Sequence, residues 1–191
     1  MRKQTLARLA ALLAERNRVD AEVANLIERP ALIGDIGERI ASEPFDIALE
    51  PNANARGIDG RFRSGPLAVN ITTYSLREGV LDVSAVLPDC LLVLAGPRGT
   101  AQRSNGAHRP FVIDEVFLFD ARSLVADLRA RGVDVGGASS VRDVLWEGAR
   151  MWPASAPGAL ITVSEEASAQ LRSFASPAVD HGHLAGSAGT R

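Results

Sequence analysis

The sequence predicts a mixed α+β or α/β domain in which helices flank a central mixed sheet of about five strands. Two observations predict this class. Near both ends of the chain, apolar residues recur at spacings of three and four, which is typical of amphipathic helices. In the middle of the chain, apolar residues alternate with polar ones or form short runs, which is typical of strands. Helices on either side of strands describe a layered domain with one hydrophobic core.

The first 28 residues are predicted to be helical, with a break near Asn17. Their apolar stripe consists of Leu6, Leu9, Leu13, Val19, Val23 and Leu26. Proline starts helices well and disfavours helical geometry in the residue before it. Arg29-Pro30 is therefore predicted to end this helix and to start a second one, which runs to about Glu43.

The second helix contains two interior glycines, Gly34 and Gly37. Each costs roughly 1 kcal/mol relative to alanine, so we expect another segment to pack very close to this helix. Glu38 lies on the face opposite Ile33, Ile36 and Ile40, and we expect it near another stretch of backbone.

The strands are predicted from alternation and from short apolar runs. Phe45 to Glu50 alternates and gives the first strand. Two further segments, 57–63 and 67–74, are separated by the turn residues Ser64-Gly65-Pro66 and are predicted to form a hairpin. The remaining two strands are predicted at Leu91 to Leu94 and at Phe111 to Phe119.

Helical spacing returns at Ala121 and stops at Arg131-Gly132. Ser139 or Ser140 is expected to cap a further helix, and Ser164 is expected to open the last one. Residues 1–175 are thus predicted to form one domain, with an N-terminal helical segment (1–28) and a core (29–175). Residues 176–191 lack apolar periodicity and are predicted to be a disordered tail.

Composition excludes several kinds of chemistry. Lys3 is the only lysine, at the expected start of the first helix, so a lysine general base or Schiff-base lysine in the core is excluded. The single cysteine, Cys90, cannot form an intramolecular disulfide and is expected to be buried. A net charge of −2 gives no general attraction for nucleic acid. With no membrane-length apolar run and no secretory signal, we expect a soluble, cytoplasmic protein.

Four polar residues are candidates for a shared site. If the hairpin closes at 64–66, Asp59 lies roughly opposite Ile71 or Thr72, and the strand period places Asn70 and Thr72 on one face. Glu38 would reach this face from the second helix. Carboxylate and amide oxygens suit a hard cation such as Mg²⁺ or Mn²⁺, and such a site could hydrolyse phosphodiesters.

The same segments resemble the core of the restriction-endonuclease-like superfamily, and also an uncharacterised bacterial family assigned to that fold, over roughly residues 20–175. The resemblance is carried by Arg29-Pro30-Ala31, Ile36-Gly37-Glu38, Gly57-Ile58-Asp59-Gly60, Val69-Asn70-Ile71 and Val116-Phe117-Leu118-Phe119-Asp120. In that superfamily an aspartate opens one hairpin strand, and an acidic residue and a lysine sit two apart on the next. The resemblance implies that Glu38 and Asp59 are metal carboxylates, that Asn70 replaces the acidic residue and that Thr72 replaces the lysine.

These two replacements predict a catalytically degenerate core. Threonine supplies no positive charge to a phosphate and does not readily deprotonate a water. Arg61, Arg63 or Arg77 could supply charge, but arginine keeps its proton and cannot act as the base.

A second candidate surface is the loop 96–109, which contains arginines and a histidine but no acidic residue. Arginine forks bind phosphates, so this loop and the hairpin are candidate nucleic-acid contacts. The candidate residues are Arg61, Arg63, Arg98, Arg103 and Arg109. The alternative is an ordinary solvated basic loop.

Three functions remain open from the sequence. The first is a degenerate nuclease-like domain that binds nucleic acid or a protein partner. The second is an active metal-dependent nuclease. The third is a structural or interaction protein in which Asp59 is a turn residue and Asn70 and Thr72 are plain strand positions.

Overall fold

The computed structural model describes residues 3–51, 57–84, 86–99, 109–157 and 159–177. The chain begins with a 25-residue helix, α1 (Lys3–Ile27). The predicted break near Asn17 is wrong, because Arg18 bonds to both Glu15 and Glu22 and such pairs one turn apart stabilise a helix. The second helix, α2 (Ile33–Ser42), begins three residues after Pro30.

In the part of the chain that the structure describes, eight strands follow these two helices, and the mixed α+β class is confirmed. They are β1 (Ile47–Leu49), β2 (Gly60–Phe62), β3 (Ala68–Tyr74), β4 (Val80–Asp82), β5 (Cys90–Ala95), β6 (Glu115–Asp120), β7 (Ala138–Ser140) and β8 (Arg150–Trp152). Six of them form the main sheet in the order β1-β2-β3-β5-β6-β8, one more strand than the five expected. β4 and β7 form a separate two-stranded sheet.

The main sheet is mixed, because β3 and β5 run parallel and its other neighbours run antiparallel. The predicted hairpin is confirmed as β2 and β3, with Gly60 opposite Val69. The strand predicted at Phe111 to Phe119 begins only at Glu115. Before it, Ile113 is fully buried and its N–H bonds to the carbonyl of Phe174, so this segment is held by the C-terminal region.

The described residues contain three further helices: α3 (Ala121–Ala130), α4 (Asp143–Ala149) and α5 (Glu165–Arg172). Ser164 caps α5 as predicted, since its hydroxyl accepts the Ala167 N–H at 3.1 Å. The predicted cap at Ser139 or Ser140 is wrong, because both residues belong to β7, and α4 follows Arg142 without a side-chain cap.

The hydrophobic core lies on both faces of the main sheet. All six residues of β5 are buried, and they alternate between two clusters. Cys90, Leu92 and Leu94 belong to the first cluster, with residues of α5 and β8. Leu91, Val93 and Ala95 belong to the second cluster, with residues of α3 and α4. The central strand is thus covered on both sides, as its continuous apolar sequence indicates.

The predicted tail begins with an ordered residue. The hydroxyl and the N–H of Ser176 both bond to the Asp114 carboxylate at 2.7 Å. The rest of the predicted tail, from residue 178, lies outside the described residues, and so do its two histidines, His181 and His183. Among the helices that the structure describes, none is both long enough and apolar enough to cross a bilayer.

Candidate functional site

A close contact between α2 and β3 positions the site. A Cβ built on Gly37 would lie 1.8 Å from the Thr73 hydroxyl oxygen, so only glycine fits here. The expected close packing is thereby confirmed at Gly37. At Gly34 it is wrong, because nothing lies within 4 Å of the corresponding Cβ position. The missing side chain of Gly37 allows α2 to approach the sheet beside the hairpin.

Asp59 lies just before β2 and faces β3. The register that pairs Gly60 with Val69 brings Asp59 opposite Asn70, one residue from the predicted position. One carboxylate oxygen of Asp59 accepts the Ile71 N–H at 2.6 Å and the Asn70 side-chain N–H at 2.8 Å. Asp59 therefore holds the start of the hairpin against β3.

Asn70 and Thr72 share one face of β3, as the strand period predicts. The Thr72 hydroxyl donates to the side-chain oxygen of Asn70 at 3.2 Å. Asp59, Asn70 and Thr72 consequently form one chain of hydrogen bonds along this face.

Glu38 reaches the same region from α2 and is 9% exposed. Its partner is Arg29, whose guanidinium bonds to the Glu38 carboxylate and, at 2.6 Å, to the backbone carbonyl oxygen of Glu50. The arginine thus ties the segment before α2 to the helix and to the end of β1. It is Arg29, and not Glu38 itself, that bonds to the neighbouring backbone.

Arg29 is not among the site residues predicted from the sequence. It entered there as the residue before Pro30 and as part of the Arg29-Pro30-Ala31 segment of the resemblance, without a role in the site. The available signal was that Arg29 is the only basic residue between α1 and α2. A lone cation beside a helix that carries a buried glutamate is a candidate partner for that glutamate.

Burial and neighbouring charges shift the pKa of both carboxyl groups. Burial, followed by the charge of Asp59, raises the pKa of Glu38 to about 7 against the opposing charge and hydrogen bond of Arg29. Burial also raises the pKa of Asp59, against the Ile71 N–H and the charge of Arg29. The charge of Arg29 therefore acts on both carboxyl groups.

The arrangement does not fit Mg²⁺ or Mn²⁺ with Arg29 in place. One carboxylate oxygen of Glu38 accepts a hydrogen bond from the guanidinium. One carboxylate oxygen of Asp59 accepts hydrogen bonds from two N–H groups. Such a cation needs about six oxygen ligands, several of them water. Within the described ranges, no group of three or more acidic, histidine or cysteine side chains could hold a metal.

The candidate phosphate-binding arginines are already paired with carboxylates. Arg63 bonds to Asp46 at 3.2 Å, Arg109 to Glu78 at 3.0 Å, and Arg61 lies 3.9 Å from Glu50. Arg98 pairs with Asp143. Arg103 and His108 lie outside the described residues. The two described arginines on or beside the hairpin and the two described arginines of the loop 96–109 are thus each paired with a carboxylate of this chain.

The fold and the site define an α+β domain with a buried carboxylate and arginine cluster between its second helix and its sheet. A comparison of the chain with protein-family models found no match, and a comparison with curated proteins found none either.

Proposed function

We propose that this protein is a degenerate domain of the restriction-endonuclease-like kind, which acts by binding and does not hydrolyse phosphodiesters. The observation that carries the proposal is the pairing of Arg29 with Glu38. The guanidinium supplies an internal positive charge where a metal-dependent nuclease would need an external cation.

The order of the elements supports the nuclease-like core. A helix with a buried glutamate, α2, precedes the antiparallel strands β1, β2 and β3, and β5 then lies parallel to β3. The four residues that the resemblance aligns lie on adjoining parts of this unit. This arrangement supports the relationship independently of the sequence motifs.

The two replaced positions support loss of catalysis. Asn70 and Thr72 are joined to each other and, through Asn70, to Asp59. Neither side chain carries a positive charge for a phosphate or can readily act as a base. In this reading the polar groups bond among themselves and stabilise the hairpin.

The charge arrangement favours a protein partner over nucleic acid. Affinity for nucleic acid comes largely from arginines and lysines that neutralise phosphates. The four described candidate arginines instead neutralise carboxylates of this chain. A phosphate would have to compete with each of these pairs.

An active metal-dependent nuclease is the second candidate function. It is favoured by one observation, the effect of the Asp59 charge on the pKa of Glu38. The Asp59 charge acts on Glu38, so these two carboxylates are the pair that a shared cation would use if Arg29 moved away.

A metal-binding test separates the two candidates. Thermal unfolding is followed with and without Mn²⁺ for the wild type, Arg29→Gln and Arg29→Gln/Asp59→Asn. We expect Mn²⁺ to leave the wild type unchanged and to stabilise Arg29→Gln, because that variant frees the Glu38 carboxylate. The second substitution should remove this stabilisation. Arg39→Gln is the matched control, since Arg39 makes an exposed pair with Glu43 on the same helix.

Cleavage and binding are then read in the same gels. Labelled single- and double-stranded DNA and RNA are incubated with the protein in Mg²⁺ or Mn²⁺. We expect neither cleavage nor tight binding at physiological salt. Cleavage by the wild type that Asp59→Asn abolishes would establish the second candidate, and tight binding without cleavage would replace the protein partner with nucleic acid.

A further inference from the structure

Helix α1 takes little part in the layered core. Among its described residues, none is buried, and none belongs to or packs against either hydrophobic cluster. The ion pairs of its described side chains stay within the helix, such as those of Arg18 with Glu15 and Glu22. The direction of α1 relative to the core therefore depends on the connection at residues 28–32, which we call the joint.

The joint begins with a residue in a strained conformation. Glu28 has a φ of 58°, in the left-handed region that residues with a Cβ atom rarely adopt. The N–H of Arg29 bonds to the Ala24 carbonyl at 3.3 Å, and this bond closes the helix in the motif that usually carries glycine at the left-handed position. Residues keep such a conformation where the surrounding structure holds them in it, and switch regions are one place where this occurs.

Asp46 makes the difference clear, because it also has a positive φ, 49°. Aspartate tolerates the left-handed region, since its short side chain can bond to nearby backbone. The backbone of Asp46 is also held locally, by hydrogen bonds with Glu43 and Arg63. Glutamate has no such preference, so the conformation of Glu28 needs another source of stabilisation.

The side chain of Arg29 supplies that stabilisation. It is 15% exposed, and its guanidinium bonds to the Glu38 carboxylate in α2 and, at 2.6 Å, to the Glu50 carbonyl at the end of β1. An arginine presents its donors in a rigid fork, so contacts with two elements fix both the position and the orientation of the guanidinium. Because both partners belong to the core, Arg29 holds the adjacent residue Glu28 in place.

We propose that the joint is a conformational switch and that Arg29 is its latch. While Arg29 is bound to Glu38 and Glu50, Glu28 stays left-handed and α1 keeps one direction. When these contacts are lost, Glu28 relaxes to the right-handed region that residues with a Cβ atom prefer, and α1 turns about the joint. A ligand or partner that takes the Glu38 carboxylate from Arg29 thereby changes the direction of α1. The switch requires only the contacts of Arg29 and does not rest on the nuclease-like relationship.

Pulsed electron resonance on the full chain tests the switch. Spin labels are attached at Ala11→Cys in α1 and Ala126→Cys in α3, two exposed positions, in a Cys90→Ala background. Ala11 lies about 26 Å along the helix from Glu28, so a turn of about 30° at the joint moves its label by about 13 Å. Spectra are recorded above the Glu38 pKa of about 7, where the carboxylate is charged. We expect one distance for the otherwise unchanged chain and a second or broadened distance for Arg29→Gln.

Arg39→Gln is the matched control, since Arg39 forms an exposed ion pair with Glu43 further along α2. This variant should keep the single distance. Far-ultraviolet circular dichroism and urea unfolding check that each variant folds. If Arg29→Gln does not fold, Arg29→Lys takes its place, because lysine keeps the charge but lacks the fork that reaches both partners. A broad distribution with Arg29 intact, or a single unchanged distance without it, would overturn the proposal.

The strain at Glu28 gives an independent test. Glycine adopts the left-handed region without the cost of a Cβ atom. Glu28→Gly in the Arg29→Gln background should therefore restore the single distance, whereas Glu28→Ala in the same background should not. Equal distributions for the two double variants would show that relaxation of residue 28 does not turn α1, and the switch would then be refuted.

Discussion

At the scale of the single residue, opposing effects act on the pKa of Glu38. Burial and the neighbouring Asp59 charge favour the protonated carboxyl group, and Arg29 favours the carboxylate. Burial prevails, so the pKa rises from its ordinary value of 4.5 to about 7. The folded protein therefore takes up a proton that the unfolded chain has already lost at neutral pH.

This proton makes stability depend on pH. The contribution of Glu38 is fully present below pH 4.5 and is lost as the pH rises through about 7. The loss amounts to at most about 3 kcal/mol, from the size of the pKa shift. We expect Glu38→Gln, which resembles the protonated form, to flatten this part of the profile of unfolding free energy against pH in urea titrations.

Glu43→Gln is the control for this measurement, because Glu43 follows the same helix and its side chain is 65% exposed. It should retain the slope of the wild type. If Glu38→Gln and the wild type lose stability equally between pH 5 and 8, the pKa of Glu38 is not raised.

The sequence predicted much of this residue cluster. Asp59, Asn70 and Thr72 could be brought together because a short turn fixes hairpin register and strand period fixes the face. Arg29 could not be found in the same way. It bonds across 9 residues to Glu38 and 21 residues to Glu50, and neither separation follows from a local period.

The contact of α2 with β3 gives a test at the scale of the element. Gly34 and Gly37 lie in the same helix, but only Gly37 faces a neighbour within 4 Å. We expect Gly34→Ala to raise the free energy of unfolding by about 0.5 to 1 kcal/mol, through helix propensity. Gly37→Ala should lower it by about 1 to 3 kcal/mol, through overpacking against Thr73.

Thermal or urea unfolding measures both effects, and a second substitution checks their cause. Thr73→Ala removes the hydroxyl that the new methyl group would meet, so the double variant Gly37→Ala/Thr73→Ala should be less destabilised than the sum of the two single variants. Strict additivity would show that the contact is not the cause.

Helices and strands were predicted correctly where apolar periodicity or a turn marks them in the sequence. α1, β3 and β5 extend over 25, 7 and 6 residues and were found. β4, β7 and β8 have three residues each and were missed, whereas β1 and β2, equally short, were found because Phe45 to Glu50 alternates and the turn 64–66 marks the hairpin. β7 also explains the wrong cap, since its two serines had a plausible local role at a helix start.

Arg77 connects parts of the molecule that are distant in sequence. It is 4% exposed, bonds to Glu115 at 2.6 Å, and lies 5.3 Å from the ring centre of Phe117 and 5.5 Å from that of Trp146. Its backbone N–H bonds to the carbonyl of Pro97. Arg77 thereby joins the segment after β5 through its backbone, and β6 and α4 through its side chain.

Removal of this arginine should destabilise the whole molecule. We expect Arg77→Ala to lower the free energy of unfolding by about 3 to 5 kcal/mol, because it leaves a buried carboxylate with weaker compensation. Arg98→Ala breaks an ion pair in which both side chains are more than half exposed, and it should cost less than about 1 kcal/mol. Equal losses in urea titrations would contradict a special role for the buried pair.

The position of α5 has a consequence for the order in which the chain is completed during synthesis. Leu171 is fully buried in the first hydrophobic cluster, beside residues contributed as early as Ala41 and Phe45. Translation proceeds from the N-terminus, so this leucine leaves the ribosome after every other fully buried member of its cluster. Until then, the face of the nascent sheet that α2 covers only in part remains incompletely covered and available to chaperones or to aggregation.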